Sequence, residues 1–277
     1  MNTARSRVAP DAVVSFRVRC YLRSTALMTC LTNLAKAAHQ GVWLGLLDRE
    51  DRQELTQYHY GGARSDSMDA SKYFDAAFNL SGLMSWEVGV IEEYFGACRS
   101  ILVGSAGGGR EVLALSHRNV KIEAFECNPR LADYCRLLLE GQDADVRMLG
   151  AFPDSVPDSM DTYDGAILGW CAYVHIIGRQ RRIRLLNQFR EHLEPGGPLL
   201  ISFLRRKPAF SRLTYGVARS MRWFRRAEPP EQGDWIGSAS GHYFTEDEIR
   251  TELTEAGFET VFNSEEECGH AVARRMR

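Results

Sequence analysis

Residues 100–126 constrain this chain more than any other stretch. An apolar run, Ile101-Leu102-Val103, meets the turn Gly104-Ser105-Ala106-Gly107-Gly108-Gly109, and Arg110-Glu111-Val112 opens a helix. A second strand, Val120 to Glu126, ends on a carboxylate. Glycines let the backbone take positive φ and let a ligand approach with no Cβ in the way. The helix that follows points free N–H groups and its positive dipole end at the ligand. A carboxylate at the end of the second strand can accept hydrogen bonds from both hydroxyls of a ribose. Strand, glycine turn, helix and distant acid are the plan of a cradle for an adenosine-containing cofactor.

A nicotinamide cofactor would prefer G-x-G-x-x-G, and here Ala106 occupies the middle glycine position. Nor does a second half read as a nicotinamide domain. Three further stretches narrow the choice. Thr162 to Trp170 reads as a strand entered through Asp164. Leu193-Glu194-Pro195-Gly196-Gly197 ends a helix and turns into the strand Pro198 to Phe203. Gly241 to Ile249 opens a last helix that closes at Ala256-Gly257-Phe258. In this order and spacing, the four motifs resemble the class I S-adenosylmethionine (SAM) dependent methyltransferases over about residues 98–277.

The resemblance implies an α/β fold, a doubly wound, seven-stranded, mostly parallel Rossmann-like sheet with SAM as cofactor. It places cofactor contacts at Tyr73, Gly104, Ser105, Ala106, Gly107, Gly108, Glu126, Cys127, Ala151, Phe152, Gly169 and Trp170. Cys127 reads better as simply a small buried residue, with a place in the adenosine pocket as its alternative role. The chain departs from the family pattern at three points. Leu102 stands where many members carry an acid, Ala106 where many carry glycine, and Ala151 where an acid often follows the third strand.

Composition sets outer bounds. A 277-residue chain with 44% hydrophobic and 25% charged residues is ordinary for a globular protein. A net charge of −2 supplies no overall field for nucleic acid. No stretch reaches the ~18 apolar residues of a membrane span. Arg5, Arg7, Arg17, Arg19 and Arg23 face one acid, Asp11, in the first 25 residues. A transit peptide has this look, and so does a ragged start or an upstream start codon. Seven cysteines without C-x-x-C spacing indicate neither a zinc site nor a disulfide framework, and a reducing, cytoplasmic setting fits them.

Residues 12–57 read as helix on the repeat Leu27, Leu31, Leu34 and Ala38, punctuated by Gly41 and Gly45, with a solvated charged run at Asp48 to Gln53. Further helices follow over 68–95. Residues 1–97 are expected to form a helical cap over the carboxyl edge of the sheet, and 98–277 the SAM-binding domain. Strands are expected at 100–104, 121–126, 145–149, 163–168, 197–203, 257–263 and 269–274. Residues 204–240 form a basic insertion. Eight cations between Arg205 and Arg226 meet no acid, and Pro229-Pro230 and Gly233 make a loop suited to a lid. The insertion reads either as an amphipathic helix for an anionic substrate, carrier domain or membrane surface, or as a solvated helix over the pocket whose arginines meet acids elsewhere.

Methyl transfer needs little from the protein beyond alignment and exclusion of water, with a base only for a protonated, poor nucleophile. His175, after the fourth strand, and His242, before the last helix, are the candidate catalytic residues, each with a structural hydrogen bond as its alternative role. Tyr58, Tyr60, Tyr173 and Tyr243 are candidate substrate-pocket residues, and Asp164 is expected to support its strand. No metal-ligand spacing stands out. The expectation is methyl transfer to an oxygen or nitrogen of a small-molecule metabolite, without nucleic acid or an integral membrane segment and with a homodimer left open. Two alternatives remain: another adenosine-cofactor enzyme, such as an aminopropyl transferase or a nicotinamide oxidoreductase, and a methyltransferase-like scaffold without activity.

Overall fold

The computed structural model describes residues 15–62, 71–158, 161–206, 212–265 and 268–277. In chain order its strands are β1 (Ser100–Gly104), β2 (Lys121–Glu126), β3 (Val146–Gly150), β4 (Gly165–Leu168), β5 (Pro198–Phe203), β6 (Asp234–Ile236), β7 (Ser240–His242), β8 (Phe258–Ser264) and β9 (Gly269–Arg275). Its helices are α1 (Phe16–Leu46), α2 (Arg49–Tyr60), α3 (Ala76–Asn79), α4 (Ser85–Phe95), α5 (Arg110–Ser116), α6 (Pro129–Gly141), α7 (Arg179–Glu191), α8 (Arg212–Phe224) and α9 (Glu246–Glu255). None of the described helices is long and apolar enough to cross a membrane.

Seven strands form one sheet in the order β3-β2-β1-β4-β5-β9-β8. The first five are parallel, with Val103 opposite both Ala124 and Ile167, and β9 is antiparallel to β5 and β8. Side chains alternate across a strand, so β1 feeds two cores. Ile101 and Val103 join Val90, Ile91 and Phe95 of α4, Val112 and Leu115 of α5, and Leu139 of α6. Leu102 faces Phe189 of α7 and Leu253 of α9. Helices on both faces leave the central strands no polar side, which is why they read as continuous apolar runs. Strand order reverses between β1 and β4, and ligands in such sheets bind beyond the carboxyl ends of the strands there.

The doubly wound sheet is as expected, with strand limits within two residues, while other readings need correction. The single helix over 12–57 is two, and residues 12–14 lie outside the described residues. Leu47 turns extended and Asp48 starts α2 with a capping box shared with Asp51. Arg52, expected to be solvated, is only 3% exposed. Gly41 and Gly45 do not interrupt α1. They let α8 lie against it, because a Cβ at Gly41 would sit 2.6 Å from the Thr214 carbonyl oxygen and one at Gly45 2.7 Å from Met221 Cβ. Leu27, Leu31 and Leu34 remain 60%, 50% and 55% exposed, so their periodicity does not mark a buried face. Helix α4 packs on the sheet face, with Val90, Ile91 and Phe95 in the same core as β1.

Within the basic insertion, α8 rests beside α1 and contributes no residue to the pocket wall. Arg222 donates to the Leu44 and Leu47 carbonyls and Arg225 to those of Gly45 and Leu46, which closes the carboxyl end of α1. Arg205 pairs with Glu265 and Arg206 with Glu248, while Lys207 lies outside the described residues. The loop expected as a lid instead carries the β6–β7 hairpin. Asp164, expected to support its own strand, instead fixes the entry to β1, its Oδ2 accepting from the N–H groups of Arg99 (2.7 Å) and Ser100 (3.0 Å). Substituting Gly45→Leu forces α1 and α8 apart. It should lower the unfolding free energy by about 1–3 kcal/mol and Tm by several degrees, measured by thermal denaturation.

Candidate active site

A cavity of about 370 Å³ opens at the switch point, over the carboxyl ends of β1, β2 and β4. That is within the ~300–1,000 Å³ range of small-molecule sites. Its floor is the glycine turn. Ser105 and Gly107 take positive φ of 54° and 56°, and Gly107 donates its N–H to Glu126 Oε2 at 2.9 Å. Glu126 Oε1 accepts from Asn128 N at 2.7 Å. Burial pushes the Glu126 carboxyl up, against the pull of these two amides. Each oxygen keeps a further lone pair, so ligand hydroxyls donating to it would offset the burial.

The turn is held from behind. A Cβ on Gly108 would lie 2.0 Å from the Tyr73 carbonyl oxygen, so no side chain fits there. Arg110 donates to both oxygens of Glu87 (2.6 and 2.7 Å) and to Glu111 Oε1 at 2.9 Å. Glu111 Oε1 also accepts from Trp170 N at 3.2 Å. Burial raises the Glu111 carboxyl, and the Glu87 charge adds to that; for Glu87 burial also pushes upward, but the Arg110 hydrogen bonds and charge, together with hydrogen bonds from Glu111 and the Met84 amide, bring it below its ordinary value. The helix start, α4 and the β4 exit are thus joined through one guanidinium.

The opposite wall carries a buried tyrosine–histidine pair. His175 Nδ1 lies 2.7 Å from the Ser240 carbonyl oxygen, which can only accept, so Nδ1 holds the proton. Nε2 is then the acceptor for Tyr60 O–H at 3.0 Å. Burial depresses the His175 pKa to about 4 and the Ser240 carbonyl only partly restores it. The imidazole is therefore neutral at physiological pH and presents a lone pair. Tyr73 packs edge-on against Tyr60 with ring centroids 5.6 Å apart, and Lys72 lies 4.4 Å over the Trp170 ring.

Of the expected residues, the cavity brings together Tyr60, Tyr73, Ser105, Gly107, Glu126, Cys127, Phe152, Trp170 and His175. Gly104, Ala106, Gly108, Ala151 and Gly169 shape it from beneath through the backbone. Ala106 N donates to Phe125 O, Gly169 N to Gly104 O and Ala151 N to Glu126 O. Four readings are corrected. His242 is buried, with Nδ1 donating to Asp234 Oδ1 at 2.8 Å, and does not line the cavity. Tyr173 is fully buried and donates to Glu252 at 2.6 Å. Tyr58 is 55% exposed, and Tyr243 packs on Trp235.

Sequence reasoning missed the charges that hold this wall. Arg52 of α2 donates to Ser240 Oγ (2.7 Å) and Asp234 Oδ2 (2.9 Å), and Arg182 of α7 grips Glu252 (2.7 Å) and Glu231 (2.8 Å). Glu231, Asp234 and His242 bring three ligand-type atoms within 4.8 Å of one another, but the arginines already pair both carboxylates. Asp–x₇–His spacing in an arginine-rich insertion was the only available signal.

No protein-family model and no curated protein matches the sequence. Solved structures do. A SAM-dependent methyltransferase from Methanosarcina mazei aligns with a TM-score of 0.56 and 16% identity, covering 70% of this chain and 99% of its own. An amino pentose methyltransferase from Micromonospora echinaspora, solved with SAM bound, aligns at 0.51 with 15% identity over 70% of this chain and 92% of its own. The cyclase SpnF aligns at 0.51 with 12% identity over 69% and 80%.

The neutral His175 makes stability depend on pH. Unfolded, it titrates near pH ~6.5, and folded near 4. The unfolded chain takes up the proton first, so the stability contributed by the neutral imidazole is lost as pH falls from 6.5 to 4. It amounts to about 3 kcal/mol. Urea unfolding at pH 7 and pH 4 should show a loss smaller by about that amount in His175→Gln than in the parent. The chain has the fold of the class I, Rossmann-like SAM-dependent methyltransferases.

Proposed function

We propose that the chain is a SAM-dependent methyltransferase that acts on an oxygen or nitrogen of a small-molecule metabolite. The observation that carries this is that one cavity holds both the Gly107–Glu126 cradle and the Tyr60–His175 pair. The cradle residues fit the cofactor. Glu126 has acceptor capacity for ribose hydroxyls, and the buried Gln57 Oε1 in the cavity wall has no hydrogen-bond partner among the described residues. Bound there, SAM supplies a methyl group already activated on a sulfonium. Leu102 and Ala106, where the chain departs from the family pattern, lie in the two cores and take nothing from the cavity.

The chain's own groups supply alignment and proton handling. A hydroxyl or neutral amine nucleophile beside Tyr60 passes the proton it sheds on attack to His175 Nε2, directly or through the tyrosine hydroxyl. The Ser240 carbonyl then stabilises the imidazolium through Nδ1–H. Because the resting imidazole is a weak base, it serves only a nucleophile that turns acidic as it attacks. The aromatic wall of Tyr60, Tyr73 and Trp170 excludes water and presents π faces to a cation. The small cavity volume favours a metabolite over a polymer. The cyclase SpnF supports a second reading, in which the same pocket folds a substrate for a reaction without methyl transfer.

Calorimetry with SAM and S-adenosylhomocysteine tests the cofactor. Both should bind with Kd below ~100 μM, and Glu126→Ala should weaken them at least about tenfold; no binding of either by the parent overturns the reading. Incubation with labelled SAM and a metabolite extract then identifies the acceptor. With that acceptor in hand, His175→Gln should lower kcat by about 10²-fold or more while S-adenosylhomocysteine affinity stays within about twofold. The parent rate should fall only as the pH approaches 4, where His175 gains its proton.

A further inference from the structure

We propose that Cys171 and Cys268 form a dithiol modification site, which a peroxide converts to an intramolecular disulfide in the pocket wall. Their sulfurs lie 2.8 Å apart although 97 residues separate them in the chain. No other thiol pair among the described residues makes such a contact. Cys171 follows β4, lines the cavity between Trp170 and the turn that carries His175, and takes a positive φ of 54°. Its N–H is fixed to Ser202 Oγ at 2.7 Å. Cys268 stands at the start of β9 with its sulfur also facing the Phe203 carbonyl at 3.5 Å. Both side chains are only partly buried, so a small oxidant reaches them. Closure needs the sulfurs to approach from 2.8 Å to about 2.05 Å.

The environment divides the roles. Either sulfur can donate in this contact; with the Cys171 thiol as donor, Cys268 is lowered against its burial, and the Trp170 indole N–H adds to this. The same bond, with burial, raises Cys171. Cys268 is therefore the attacking thiolate and Cys171 the resolving thiol. The Cys268 sulfur attacks one peroxide oxygen, the O–O bond breaks, and the departing hydroxide leaves as water with a solvent proton. Cys171 then attacks the Cys268 sulfenic acid, the S–O bond breaks, and hydroxide leaves as water with the Cys171 proton. Two thiols are oxidised by two electrons and one hydrogen peroxide becomes two waters. The bond would tie the turn bearing Trp170 and His175 to β9, so redox state reaches the pocket without a change of fold.

The test uses the full chain with the exposed Cys20 and Cys30 replaced, Cys20→Ser and Cys30→Ser, to remove competing surface thiols. One equivalent of hydrogen peroxide should consume two thiols. Non-reducing peptide mapping should give a Cys171–Cys268 cross-link. Tm should rise by about 5–10 °C and return after dithiothreitol, since the link constrains a long unfolded loop. Cys268→Ser should lose both the cross-link and the Tm rise. A sulfinic acid at Cys268 beside a free Cys171 overturns the proposal, as does a cross-link between other cysteines. The peptide map reads the native pair, so it stands even if the serine variant does not fold.

Discussion

The salt bridge between Arg52 and Asp234 holds this structure together around its pocket. One guanidinium from α2 reaches the β6–β7 hairpin, binding Asp234 and the Ser240 hydroxyl, both buried. Ser240 is also the residue whose carbonyl orients His175. The cap, the hairpin and the imidazole therefore share one support. A buried ion pair is not in itself a large stabiliser, because desolvation offsets much of its attraction. What it supplies here is position: Asp234 also takes His242 Nδ1–H, so the carboxylate has several partners in fixed directions.

A parallel arrangement stands behind the glycine turn. Arg110 collects Glu87 and Glu111, two acids against one cation in a dry space. The Trp170 amide adds a donor to Glu111. The glycine turn looks flexible in sequence, yet a carbonyl on one side and an arginine bridge on the other leave it little freedom. Such rigidity suits a cradle that must meet a ligand without reorganising.

The sheet was legible because its strands are continuous apolar runs closed by glycine or proline turns, and because Glu126 follows the turn at the βαβ distance. His175 was legible as a histidine just beyond a central strand. His242 was equally placed on paper, and only three-dimensional contact with Asp234 makes it structural. Tyr60 and Tyr173 differ in the same way: one packs beside His175, the other is sealed against Glu252. The apolar repeat in α1 misled because periodicity reports a face, not a partner for it. Pairings such as Arg52 with Asp234, 182 residues apart, or Cys171 with Cys268, leave no local trace at all.

The distance between Arg52 and its partner also bears on how the chain reaches this state. Strands β1, β2 and β3 pair with their neighbours in sequence and can assemble early. Helix α2 cannot settle until the hairpin some 180 residues later has been made. Contacts of such long separation cost the most chain entropy and form late. During synthesis, α2 and the wall it supports therefore wait for the β6–β7 hairpin before they can close over the carboxyl edge of the sheet.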